Sequence, residues 1–192
     1  MQASLRLLAH RKFLPLFVTQ FLWAFNDNLF KTAMILFATY VVFEDPQQES
    51  HFNAVATGLF ILPFFLLSAL SGQLADNIDK ARIIRMVKLV EILIMIVGAA
   101  GLMLSTRHPW LGVGLMLGAV LAMGVHSTFF GPIKYAILPQ HLEPEQVLGG
   151  TGLVEAGTYI AILAGTIVAG WIGPQTTAIM VLVIAVIGYA SG

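Results

Sequence analysis

Asp27 stands near the middle of a long apolar run, flanked by Asn26 and Asn28 and followed one helical turn later by Lys31. An isolated charge at the centre of a bilayer costs at least ~2.5–3.5 kcal/mol on insertion scales, so something must offset it. On a helix Asp27 and Lys31 share a face and can pair, which gives one reading, a self-neutralised ion pair. The other is a polar cavity lined by Asn26, Asp27, Asn28 and Lys31, because ionisable residues inside a membrane segment are functional candidates by default. Glu155 poses the same question in a later apolar run, followed by Thr158 and Tyr159. It is either a carboxylic acid kept neutral and hydrogen-bonded, or a group that meets a substrate or a proton. Lys134 lies in Phe129-Phe130-Gly131-Pro132-Ile133-Lys134-Tyr135-Ala136-Ile137-Leu138-Pro139, where two prolines interrupt helical hydrogen bonding. A broken helix at membrane depth is tolerated only where protein or a wet cavity satisfies the backbone. An interfacial lysine at a helix end explains Lys134 equally well.

Other polar residues carry less chemistry. Arg85, Lys88 and Glu91 recur every third residue and so share one helical side. Two of them are expected to snorkel to the cytoplasmic surface, a structural role. His126 is expected to be a hydrogen-bonded core histidine, and no second histidine stands at metal-ligand spacing. Phosphate-cradling glycine loops, Gly-x-Ser-x-Gly elbows, His-Glu-x-x-His and paired catalytic carboxylates do not occur, so neither an enzyme, a metal nor a cofactor is expected.

Apolar helices must position these residues. The chain has 192 residues, 58% hydrophobic and only 10% charged, against about 25% charged in soluble domains. Most of its length therefore has no polar face to offer water. A span needs about 20 apolar residues, and such runs occur at about 13–43, 54–75, 83–104, 110–130, 147–172 and 176–189. The polar breaks between them are too short for a separate soluble domain. Basic residues near span ends, Arg6, Arg11, Lys12, Lys80, Arg82, Arg85, Lys88 and Lys134, fall on one side and Arg107 on the other. By the positive-inside rule the N-terminus is cytoplasmic. Arg6, Arg11 and Lys12 superficially suggest a signal peptide, but the following run is too long and no small-residue cleavage site closes it. The final residues, Gly188 to Gly192, follow the last run without any basic anchor, which suggests a fragment or the first half of a longer protein. Small residues at four-residue spacing, Gly157, Ala161, Gly165 and Ala169 in one run and Gly114, Gly118 and Ala122 in another, read as helix-packing stripes. Balanced charge, ten basic against ten acidic residues, argues against nucleic acid, and the absence of cysteine removes disulfides and thiolate chemistry.

Gly72-Gln73-Leu74-Ala75-Asp76, followed by Asp79, Lys80 and Arg82 between the second and third runs, resembles the cytoplasmic loop signature of the major facilitator superfamily. There the glycine lets two helices approach and the aspartate meets a helix N-terminus or basic partners, which implies a conformational latch of Gly72, Asp76, Lys80 and Arg82. Asp79 replaces the usual second glycine of that signature. Phe25-Asn26-Asp27-Asn28-Leu29-Phe30-Lys31, Gly131-Pro132-Ile133-Lys134-Tyr135 with Leu138-Pro139, and Gly152-Leu153-Val154-Glu155-Ala156-Gly157-Thr158 together resemble the bacterial lysophospholipid transporter branch of that superfamily, including forms fused to an acyltransferase and acyl-acyl-carrier-protein synthetase. The likeness covers nearly the whole chain and corresponds to the amino-terminal half of such a transporter.

The resemblance implies an all-α membrane protein, the six-transmembrane-helix half of a transporter built from two three-helix repeats. It implies movement of 2-acyl-glycerophosphoethanolamine across the bacterial inner membrane by alternating access. Asp27 would meet the ethanolamine ammonium and Lys134 the phosphate, with Asn28, Lys31 and Glu155 as further substrate-binding residues. Implied partners are lysophospholipid, membrane lipids, a missing carboxy-terminal half or a dimer mate, and an acyltransferase. Two alternatives stay open: a proton-coupled exporter of small amphiphiles, and a non-transporting membrane scaffold for a partner acyltransferase.

Overall fold

Prolines mark where the helices start. In the computed structural model Pro15, Pro46, Pro109, Pro144 and Pro174 each sit in the first turn of a helix, where the missing N–H would have had no intrahelical acceptor. Six long helices result: α1 (Leu14–Phe37), α2 (Pro46–Asn77), α3 (Lys80–Leu104), α4 (Pro109–Ala136), α5 (Pro144–Trp171) and α6 (Pro174–Ser191). The structure describes residues 7–43, 45–77, 79–105 and 107–191, and among them there is no strand. A π-helical turn, Ala38–Val42, prolongs α1, and Thr39 Oγ1 donates to Glu49 Oε1 at 2.9 Å, tying the end of α1 to the start of α2. At α5 the Glu143 side chain accepts from the Gln146 backbone while Gln146 Oε1 accepts from the Glu143 N–H, a reciprocal cap.

The helix break expected around Gly131-Pro132 falls later. α4 runs through Pro132 to Ala136, and a single turn, Leu138–His141, follows. A proline deletes one rung of the hydrogen-bond ladder, and packing of α4 on both α2 and α3 holds the helix through it.

Segments at Pro46–Leu74, Arg82–Leu104, Pro109–Ala136 and Pro144–Trp171 are long and apolar enough to cross a membrane. With 24 residues α1 is also long enough, but Gln20, Asn26, Asp27, Asn28 and Lys31 dilute its apolar character. Large apolar side chains face outward, Phe65 at 81% exposure, Leu148 at 85% and Leu66 at 69%. Such a surface suits hydrocarbon and not water. Hydroxyls on these helices turn back on their own backbone: Thr128 to Gly124 O, Thr151 to Val147 O, Thr158 to Val154 O and Thr166 to Ile162 O, all within 2.9 Å. The chain is a multi-pass membrane protein.

α1 packs along α5 and α6, α4 along α2 and α3, and α3 on α6. The stripe Gly157, Ala161, Gly165, Ala169 is buried as expected. A Cβ at Gly165 would lie 2.5 Å from the Phe25 carbonyl of α1, and one at Gly124 would collide with the Phe60 carbonyl of α2. The second stripe behaves otherwise. Gly114 and Gly118 are exposed, with nothing within 4 Å of a Cβ placed on either, so α4 makes its close approaches through Gly112 and Gly124 instead.

Replacing Gly165 by alanine should therefore lower stability by about 1–3 kcal/mol through overpacking, whereas Gly114→Ala should stay within about 0.5 kcal/mol. Thermal unfolding of the two variants in detergent checks this; equal losses would contradict the packing described.

Candidate functional site

A stripe of α1 carries Gln20, Trp23 and Asp27 at i, i+3 and i+7, spacing that keeps them on one face. That face meets α4. Asp27 is 3% exposed, and its Oδ2 accepts a hydrogen bond from Ser127 at 3.2 Å while Oδ1 has no hydrogen-bond partner. Toward the chain start, Gln20 Nε2 donates to the Lys134 carbonyl at 3.4 Å, and Gln20 Oε1 is left without a partner. Between these levels lies Trp23, its ring centroid 4.9 Å from that of Phe130 and its Nε1 also unpaired. Buried polar atoms are usually hydrogen-bonded, and three on this one helix face are not.

Lys134 is 8% exposed, with Nζ 4.7 Å from the Tyr135 ring and 5.9 Å from the Trp23 ring. Glu155 and Tyr159 of α5 act on it electrostatically. Gln20 and Asp27 on α1, like Lys134 and Ser127 on α4, are seven residues apart, which is roughly 10 Å along a helix. The Ser127–Asp27 hydrogen bond and the Gln20 contact with the Lys134 carbonyl thus lie about that far apart along the two helices.

The remaining expected residues divide. Lys31 Nζ sits 4.1 Å over the Phe60 ring, and with Asn28, Thr57 and Phe60 it lines a separate cleft of about 260 Å³ toward α2. Asn28 spends its amide on the Ala24 carbonyl at 2.8 Å. Asp27 and Lys31 act on each other through space, but each has a different contact, Ser127 for one and Phe60 for the other. Of the latch set, Arg82 is exposed, and Gly72 makes no close helix approach, since nothing lies within 4 Å of a Cβ built there. The side chains of Asp76 and Lys80 lie outside the described ones.

One expectation is overturned. Lys88 and Glu91 do not snorkel: they are 1% and 2% exposed and form an ion pair at 2.7 Å. Lys88 Nζ also donates to the Thr19 carbonyl at 3.4 Å and lies 5.4 Å from the Phe130 ring. The cause is register, because the face of α3 that carries them turns to α1 and α4. Glu91 and Lys88 both lie within electrostatic range of Asp27. His126 is the buried core histidine expected, its Nε2 3.0 Å from the Val87 carbonyl. Gln20, Trp23, Ser127, Lys88 and Glu91 were not singled out as site residues from sequence. The available signal was two opposite charges one turn apart within an apolar run. Among the described residues no cluster of three or more histidines and carboxylates is placed to hold a metal ion.

Residues 47–191 match the family described as transmembrane secretion effectors. The lysophospholipid transporter LplT of Photorhabdus laumondii is 31% identical over 168 residues, covering 88% of this chain and 38% of that protein. The transporter of the same name from Salmonella heidelberg is 30% identical over 177 residues, 92% of this chain and 40% of that protein. The chain thus spans about two fifths of the length of the curated relatives it matches. No solved structure matches it.

Burial of the Lys88–Glu91 pair has a measurable consequence. Lys88→Ala or Glu91→Ala alone should cost about 3–5 kcal/mol, because an uncompensated charge is left inside, whereas the double variant Lys88→Met with Glu91→Leu should fall near wild type. Unfolding in detergent reads this out. Small, additive losses would place both residues at the surface.

Proposed function

Because the chain belongs to the transmembrane secretion effector family of the major facilitator superfamily, we propose that it is the amino-terminal part of a transporter that moves lysophospholipid across the bacterial inner membrane by alternating access. The substrate is of the 2-acyl-glycerophosphoethanolamine type. The relatives' name supports that class, and the observation that carries it is the buried line of incompletely satisfied polar atoms between Asp27 and Lys134. A zwitterionic head group brings an ammonium for the Asp27 carboxylate and a phosphate for the Lys134 ammonium. In this reading Trp23 Nε1, unpaired near Lys134, donates to the phosphate, and Glu155 supports Lys134 from α5. The acyl tail stays against the apolar helix surfaces.

Packing supports two nested three-helix repeats. Exchanging α1, α2 and α3 for α4, α5 and α6 turns the α1–α5 contact into α4–α2 and the α3–α4 contact into α6–α1, and leaves α3–α6 unchanged. Each of these contacts occurs. In this reading all six helices span the membrane, the N-terminus is cytoplasmic, and this half rocks against a second one around the shared site. Of the latch set, Asp76, Lys80 and Arg82 then act between end states, and Gly72, which makes no close helix approach, takes no part.

Binding of radiolabelled lysophosphatidylethanolamine to the purified chain tests the site. Asp27→Asn and Lys134→Ala should each weaken it by about tenfold or more, since each strands a buried charge of the ligand. Undiminished binding in both variants would sink the assignment.

A second reading, proton-coupled export of small amphiphiles, gains from the Lys88–Glu91 pair buried within range of Asp27. Such a cluster provides a carboxylate that can take up a proton when its partner moves. Proton movement on adding substrate to vesicles bearing the complete transporter, abolished by Glu91→Gln, would favour it over the first reading.

A further inference from the structure

Gly118, where a Cβ would meet nothing within 4 Å, opens instead on a groove, with the half-buried Ala122 one turn on. On α4, Gly118, Ala122, Val125 and Phe129 face Ile83, Val87, Val90 and Ile94 of α3 across a groove of about 870 Å³. His126 on the Val87 carbonyl and Met116 beside Gly101 set the two helices antiparallel, and the lining spans Ile83 to Ile94 on one and Gly118 to Phe129 on the other. It is eleven residues long on either side, roughly 16 Å at 1.5 Å per residue. One leaflet of a bilayer whose hydrocarbon core is ~30 Å thick is about that deep. The lining is apolar except for His126, whose Nε2 is taken by the Val87 carbonyl, and for exposed Arg82, which lies with Leu74 of α2 at one end of the groove.

We propose that this groove is a binding site for one phospholipid of the bilayer, with an acyl chain lying along Gly118 and Ala122 and the phosphate meeting Arg82. Three features select that occupant. Length matches the depth of a single leaflet, so an acyl chain fills the groove without crossing the midplane. Gly118 has nothing within 4 Å of a Cβ, which leaves room for methylenes against the α4 backbone. Arg82 supplies a planar donor array suited to phosphate at the end where a head group must emerge. A free phosphate would leave the apolar length empty.

This site is distinct from the one between Asp27 and Lys134. None of Asp27, Lys134 and Glu155 lines the groove, and its α1-facing wall is closed by Val87 and His126, held together by the Nε2 contact to the Val87 carbonyl. The bound lipid is therefore a resident that braces α3 against α4, and the transported molecule uses the other site.

Native mass spectrometry of the intact chain in mild detergent, titrated with 1-palmitoyl-2-oleoyl phosphatidylglycerol, tests the assignment. Wild type should hold one lipid per chain, and Gly118→Leu and Arg82→Gln should each weaken its binding by about tenfold. Asp27→Asn and Arg107→Gln should leave it unchanged, so the result is independent of the proposed transport site. Because Gly118 faces open space, Gly118→Leu should unfold at the wild-type temperature; if it does not, Ala122→Phe serves as the second filling variant. Binding that survives both fillings overturns the proposal. So does displacement of the lipid by equimolar lysophosphatidylethanolamine in wild type but not in Asp27→Asn, which would make groove and transport site one.

Discussion

Hydrocarbon offers no hydrogen bonds, so a polar group held within it costs free energy unless the protein supplies its partner. That constraint organises what the structure does with its polar residues. Hydroxyls on α4 and α5 bond the carbonyl one turn back. Asn28 does the same with its amide. Lys88 and Glu91 neutralise each other, and His126 bonds the backbone of a neighbouring helix. Against this background of satisfaction, the unpaired atoms of Gln20, Trp23 and Asp27 stand out, because they occupy one face of one helix and no local device serves them.

Close packing answers the same constraint by different means. Lipid tails are as apolar as leucine, so helices gain little by hiding apolar surface from them, and association relies on backbones coming near. Gly165 against Phe25 and Gly124 against Phe60 are two such close crossings, one between α5 and α1 and one between α4 and α2. These are the crossings that an exchange of the two halves of the chain interconverts. They fix the distance between α1 and α4 indirectly, each through its own partner, and the polar line lies in the space left between them.

Where small residues are not used for packing, they leave room. Gly114 and Gly118 meet nothing within 4 Å, and the groove along the α4 face has the length of one leaflet. The same residue type therefore brings backbones together on α5 and keeps a channel open on α4. The difference lies in which helix stands opposite and at what angle.

By itself the sequence determined the medium and the punctuation. Low charge and long apolar runs require a membrane, and prolines at 15, 46, 109, 144 and 174 set helix starts, because these properties are local and survive any packing. Asp27 and Lys134 were legible as candidates on the same ground, since a charge within an apolar run needs a reason wherever the run ends up. Side-chain facing was not legible. With 3.6 residues per turn, Lys88 and Glu91 share a face in any helix, but whether that face looks to headgroups or to α1 depends on the rotation of α3. Gly118 and Gly165 sit in similar small-residue patterns, and only the neighbour across from each decides that one is contact and the other is space. Lys31, one turn from Asp27, lines a different cleft, with Thr57 and Phe60 of α2 and Val120 of α4 around it. Tertiary structure decided these matters because rotation about a helix axis costs an isolated helix nothing, and only its neighbours fix it.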